Sequence, residues 1–280
     1  MTNTTMTKTM KANHYLTALV ALAAVLLAML AATLLTAAVR PAEAAFPGQN
    51  GKIVLTRVQA DKNFEIYSMN PDGSAQTDLS NDPSQDTTPA VSPDGKKVAF
   101  SSDRAGGQQD IYLMDADPST KDAADLTNTG SARELEPAFS PDGTKIAFTT
   151  NRDGNAEVYV MNADGSGQVR LTKNAAVDLF PDFSPGGKKI AFTSNRDGDE
   201  EIFKMNSLDG TRVVKLTKNT SFDDAEPAFS PDGTKIAFRS VRTGQQQIFE
   251  MNPNGTNQTN VSKTDSPVQN ISPDWGVASF

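Results

Sequence analysis

Pro137-Ala-Phe-Ser-Pro-Asp-Gly-Thr-Lys-Ile-Ala-Phe148 returns almost letter for letter as Pro227-Ala-Phe-Ser-Pro-Asp-Gly-Thr-Lys-Ile-Ala-Phe238. Looser copies begin at Pro89 and Pro181, and a truncated one at Pro273-Asp-Trp275, so the starts lie 48, 44, 46 and 46 residues apart. A second marker keeps the same register: Met69, Met114, Met161, Met205 and Met251 each close an apolar segment. Two markers recurring in step at this period are the signature of a repeat architecture, and the repeat has to be read before any single motif.

Each copy reads as four short strands. Pro137-Ala-Phe-Ser precedes an Asp142-Gly143 turn, and Lys145-Ile-Ala-Phe-Thr149 is ended by Asn151-Arg-Asp-Gly154. Glu157-Val-Tyr-Val-Met161 runs to Asp164-Gly165, and Val169-Arg-Leu-Thr172 completes the unit. Asp-Gly between apolar runs is a strong hairpin signal because both residues tolerate positive φ. The second strand is apolar on both sides, Ile146 and Phe148 on one and Ala147 on the other, as a sheet sandwiched between neighbours requires. No stretch of ordinary helix length carries a 3.6-residue period. These features predict an all-β fold, a five-bladed β-propeller of four-stranded antiparallel blades. The repeats fall near 46–86, 87–134, 135–178, 179–224 and 225–269, with a closing strand at 270–280. The first copy begins at Phe46 without a full first strand, and the last fragment is a first strand alone, so the two termini are expected to complete one blade and hide both open edges.

Residues 1–44 read differently. Lys8 and Lys11 precede an uncharged run from Tyr15 to Val39, followed by Arg40-Pro41 and Ala42-Glu43-Ala44-Ala45. That is the layout of a signal peptide cleaved after Ala44, and its 25-residue run is also long enough for an uncleaved membrane anchor. On either reading residues 45–280 are extracytoplasmic: secreted, periplasmic or held at the cell surface.

The chain has a formal net charge of −8, and residues 45–280 alone carry 23 basic and 33 acidic side chains. An acidic domain offers no electrostatic footprint for nucleic acid. There is no cysteine, and the single histidine is His14, so residues 45–280 can build no Ser-His-Asp triad, Cys-His pair or histidine-ligated zinc site.

Taken together, the Phe-Ser-Pro-Asp-Gly, Lys-Ile-Ala-Phe, Asn-Arg-Asp-Gly and Tyr-x-Met-Asn segments resemble the TolB-type propeller repeat, a relative of the WD-type repeats, over about residues 46–280. The resemblance implies a propeller. Relatives include the propeller portions of some serine peptidases and the periplasmic TolB component of the Tol–Pal envelope system. TolB itself has an extra N-terminal domain and six blades, for which this sequence has no room, and the Gly-x-Ser-x-Gly elbow of a peptidase partner is missing. Gly186 in the third Ser-Pro-x-Gly turn and Asp117-Pro-Ser119 in the second copy depart from the pattern.

Carboxylates are the remaining chemistry. Asp86, Glu134, Glu136, Asp178, Asp223, Asp224 and Glu226 fall where loops lead into the innermost strands, and are expected to crowd one mouth of the central channel. They would solubilise a rim, offer oxygen ligands to Ca²⁺ or a basic partner, or, as a facing pair, cleave a glycosidic bond. The Asn-Arg-Asp-Gly turns lack full calcium-loop spacing, and are expected to pair Arg152 with Glu157 and Arg196 with Glu201 across each hairpin for under about 1 kcal/mol. The expected function is a non-catalytic scaffold without a cofactor, binding another protein or an envelope component. A glycosidase-like enzyme and a calcium-binding module are the alternatives.

Overall fold

The computed structural model describes residues 52–262, apart from 61, 121 and 220, together with Pro273. The N-terminal segment 1–44 and the expected closing strand, Trp275 included, lie outside the described residues. Within them the fold is the five-bladed propeller of antiparallel sheets, with no helix.

Blade I is three-stranded: β1 (Ile53–Val58), β2 (Phe64–Met69) and β3 (Thr77–Asp78). Blade II holds β4 (Asp86–Val91), β5 (Lys97–Ser102), β6 (Asp110–Asp115) and β7 (Ala123–Asp125). Blade III holds β8 (Glu134–Phe139), β9 (Lys145–Thr150), β10 (Glu157–Asn162) and β11 (Val169–Arg170). Blade IV holds β12 (Asp178–Phe183), β13 (Lys189–Ser194), β14 (Glu201–Asn206) and β15 (Val214–Lys215). Blade V holds β16 (Asp224–Phe229), β17 (Ile236–Ser240), β18 (Gln247–Met251) and β19 (Thr259–Asn260). Every sheet runs in chain order, so each blade is a simple meander.

The register of blade I shows which strand is not among its described residues. Ile53 pairs with Met69 as Val98 pairs with Met114, so β1 is the counterpart of β5, a second strand.

The core is divided among the blade interfaces. Val54, Ile66 and Leu79 of blade I interleave with Val98, Phe100 and Met114 of blade II. Corresponding clusters lie between blades II and III, III and IV, and IV and V. Each full blade stacks one aromatic pair across its middle strands, Phe148 on Tyr159 at 5.8 Å in blade III. Because neighbouring sheets cover both faces, β9 buries every residue after Lys145, which is why its sequence is apolar without alternation.

The innermost strands begin earlier than their apolar run suggests. β8 starts at Glu134, three residues before Pro137, and pairing with β9 slips between Leu135 and Ala138. The same bulge recurs in β4, β12 and β16. At each, a non-glycine residue takes positive φ: Thr88 (50°), Glu136 (58°), Phe180 (52°) and Glu226 (57°). Left-handed backbone costs about 1–2 kcal/mol at such residues. What offsets it is the amide each bulge frees from the ladder and aims at the preceding blade. Thr88 N donates to Thr56 Oγ1 (3.1 Å), Phe180 N to Glu136 Oε2 (2.8 Å) and Glu226 N to Thr193 Oγ1 (3.0 Å).

Candidate functional site

Asp86, Glu134, Asp178 and Asp224 are the first residues of the four innermost strands, not loop residues, and each is fully buried. An arginine 18 positions later in the same blade reaches back over the intervening strand to meet it. The contacts are Arg104–Asp86 (2.8 Å), Arg152–Glu134 (3.2 Å), Arg196–Asp178 (3.1 Å) and Arg242–Asp224 (2.5 Å). The arginine Nε donates to the hydroxyl at the end of the second strand, Arg196 to Ser194 and Arg242 to Ser240, both at 2.9 Å. Its guanidinium lies over two rings of its own blade, in blade IV over Phe203 (4.6 Å) and Phe192 (5.3 Å).

The expected pairs Arg152–Glu157 and Arg196–Glu201 are therefore not formed. Glu157 is the direct strand partner of Thr150, which pairs in turn with Glu134, so the two acids lie on one row at opposite sides of β9. Arg152 serves the inner acid, and Glu157 is met from the outer strand by Arg170 at 2.6 Å. In blade IV Asp178, Ser194 and Glu201 form the same row, with Lys215 on Glu201 at 3.2 Å.

Connecting residues carry the row into the next blade. Asn174 donates its backbone N–H to Glu157 (3.1 Å) and its side-chain amide to Asp178 (2.6 Å). Asn219 links Glu201 to Asp224 in the same way, at 2.8 Å on each side. Thr129 links Asp110 (3.0 Å) to Glu134 (2.6 Å). A buried polar belt thus threads blades II to V. Burial pushes the carboxyls of Asp86, Glu134 and Asp224 above the usual carboxylate range, although the arginines and hydroxyls pull the other way.

The other three expected rim acids stand apart from the belt. Glu136 accepts Thr149 Oγ1 and the Phe180 amide, both at 2.8 Å, so it staples two blades together. Glu226 accepts Arg239 Nε at 3.0 Å, and Arg239 also approaches Glu200 at 3.6 Å. Asp223 is exposed and accepts the Glu200 amide at 3.2 Å. Glu200 and Glu226 flank Arg239, and Asp223 joins them through the Glu200 amide as partly accessible carboxylates of blades IV and V. Burial raises the Glu200 carboxyl; Arg239 opposes this, and Asp223 and Glu226 add to it. Glu200 was not among the expected residues, and the signal for it was its Asp199-Glu200-Glu201 run, read as part of a turn.

Among the described residues no cluster of acids has metal-ligating geometry. An open groove of about 370 Å³ between blades IV and V is lined by Lys215, Lys218, Asn219, Arg242 and Thr256. Two of its three cations are already paired within the belt.

Residues 120–213 match the family model described as the TolB beta propeller domain. Over that stretch the β-propeller matches the TolB-type repeat. It is similar to TolB from Acinetobacter baumannii, with 27% identity and a TM-score of 0.69, covering 80% of this chain and 56% of that one. The putative TolB from Agrobacterium tumefaciens shares 22% identity with a TM-score of 0.68 over 79% of each chain. An oligogalacturonate lyase from Vibrio parahaemolyticus shares the fold at 14% identity and a TM-score of 0.57, over 81% of this chain and 67% of that one. The chain thus spans little more than half the length of the Acinetobacter protein.

Proposed function

We propose that this TolB-type propeller is an extracytoplasmic, non-catalytic scaffold that binds a protein or another cell-envelope component at the end where the innermost strands begin. The observation that carries the reading is the belt: the four acids best placed for chemistry are buried and held by arginine, so they build the scaffold. What this end presents outward is a surface for contact, with Glu200 and Asp223 beside the half-exposed Phe222. Apolar and acidic groups side by side suit a partner with a basic rim around an apolar contact. The likeness to TolB proteins supports an envelope role. The carbohydrate-active alternative draws on the lyase likeness, which is one of fold alone.

The test has two arms. A component captured from envelope extract is purified and titrated against the full chain and its Glu200→Lys/Asp223→Lys variant, and at least a tenfold weaker affinity is expected. In the other arm the full chain meets a panel of polysaccharides. Turnover abolished by Glu200→Gln or Glu226→Gln would replace the scaffold with an enzyme.

A further inference from the structure

Where the innermost strand turns back into the second, blades II, III and V each carry an internal anion. Asp94, Asp142 and Asp232 accept the hydroxyl of the serine two residues earlier, at 2.6 Å in all three. The same oxygen accepts the backbone N–H two residues later: Lys96 at 3.1 Å, Thr144 at 3.0 Å and Thr234 at 2.9 Å. Those donors, the serine hydroxyl foremost, hold the three carboxyls below the usual carboxylate range. Blade IV has the turn without the acid, because Gly186 stands in its place. The backbone keeps its form: Gly187 N donates to Ser184 O at 2.7 Å, as Gly143 N does to Ser140 O at 2.8 Å, and Lys189 N donates to Ser184 Oγ at 3.1 Å. Two donors are thereby left over. Neither the Ser184 hydroxyl proton nor the Lys188 N–H has a protein acceptor among the described residues. A Cβ at Gly186 would meet nothing within 4 Å, so the side of the turn that the carboxylate occupies elsewhere is open.

The charges beside this turn are basic. In blades II and V the lysine that opens the second strand is neutralised, Lys97 by Asp115 and Lys235 by Glu250. In blade IV Lys189 meets only the neutral Asn206, at 2.5 Å. Lys204 lies on the same face and donates to the Pro253 carbonyl; burial and the Lys189 charge hold its amine below the usual lysine range. The nearby acids are engaged elsewhere: Asp182 accepts the Phe229 amide, and Asp209 accepts the Thr211 amide and hydroxyl. An apolar contact adjoins the turn. Ser207 Oγ donates to Gly187 O at 2.6 Å, and the next residue, Leu208, is 88% exposed. We propose that the turn between β12 and β13 binds an acidic side chain of a partner protein, whose carboxylate takes the place that Asp94, Asp142 and Asp232 fill from within, with Leu208 as the adjoining contact. The occupant is argued from complementarity: donors arranged for one carboxylate oxygen, lysines without a counterion, and an apolar side chain, on a domain that is otherwise acidic. The turn follows the end of β12, whereas Glu200 and Asp223 lie where innermost strands begin, so this contact is separate from the one proposed above.

The probe is a capped, fluorescent peptide with two aspartates between leucines, titrated against the full chain beside a twin with asparagines in their place. The acidic peptide is expected to bind at least about tenfold tighter, as hydrogen bonds to a charged group allow. Gly186→Asp supplies the carboxylate from within the chain. It is expected to weaken the acidic peptide at least about tenfold and, by satisfying Ser184 and Lys188, to raise the melting temperature by about 2–4 °C. That rise separates a filled site from a misfolded protein. Equal binding of the two peptides, undiminished binding to Gly186→Asp, or no rise in its melting temperature overturns the proposal. So does displacement of the peptide by sodium acetate at the peptide's own concentration, which would make the ligand a free carboxylate. Loss of peptide binding in the Glu200→Lys/Asp223→Lys variant would move the contact to the other end of the blades and also refute it.

Discussion

Replacing Arg152 by methionine isolates the energetics of the belt. Methionine keeps much of the aliphatic stem over Phe148 and Tyr159 and removes the guanidinium, leaving Glu134 buried with Thr129 and Thr150 as its donors. Stripping one partner from a buried ion pair costs about 3–5 kcal/mol. Arg152 is 21% exposed, so water screens part of that, and a loss of about 2–4 kcal/mol is the better figure. For a propeller of this size it lowers the melting temperature by roughly 5–15 °C. Glu134→Gln removes the buried charge, keeps an acceptor oxygen for one hydroxyl and offers its amide N–H to the oxygen of the other, so the double variant Arg152→Met/Glu134→Gln is expected to recover at least about 1 kcal/mol relative to Arg152→Met alone. Denaturant titration of the four proteins, with the slope checked for constancy, measures the cycle. If Arg152→Met loses less than about 0.5 kcal/mol, or the two changes add without coupling, the pair behaves as a surface pair and the belt is not what holds the blade.

The turn glycines separate backbone strain from collision. A Cβ at Gly210 would stand 2.1 Å from the Leu171 carbonyl oxygen of the preceding blade, whereas nothing lies within 4 Å of one at Gly73; both have positive φ. Gly73→Ala is expected to cost about 1–2 kcal/mol and Gly210→Ala at least twice that, compared by melting temperature. Burial pushes Asp182, which accepts the Phe229 amide at 2.6 Å, up to about 7, and Glu65 likewise to about 7. A raised carboxyl stabilises the fold most below the unfolded value near 4 and loses that contribution as pH climbs through 7, so the melting temperature is expected to fall between pH 5 and pH 8. Asp182→Asn keeps an acceptor for Phe229 and should flatten that fall; an unchanged slope would show that Asp182 is not its source. Asp142, Asp164 and Asp232 act in the opposite sense, since hydrogen bonds from Ser and Thr hold them low, and their contribution disappears only as pH drops below about 4. Adding Ca²⁺ or a chelator is expected to leave the melting temperature unchanged, and a rise with Ca²⁺ would restore the calcium-module reading.

The repeat alone determined the architecture. Asp-Gly turns and two-sided apolar strands at a constant period leave one economical way to bury both faces of every sheet, so blade number and strand order were legible. The site was misread for a physical reason. A carboxylate before a proline looks like loop chemistry, and only the bulged pairing of β8 with β9 draws Glu134 into the sheet, where water is excluded and a charge must find a counterion. The invariant 18-residue step from acid to arginine was present in the chain. Yet spacing cannot say whether Arg152 leans inward to Glu134 or outward to Glu157, since both flank the same strand. That choice is made by the neighbouring strands: Arg170 already holds the outer acid, and the rings of Phe148 and Tyr159 leave the guanidinium its place above the inner one.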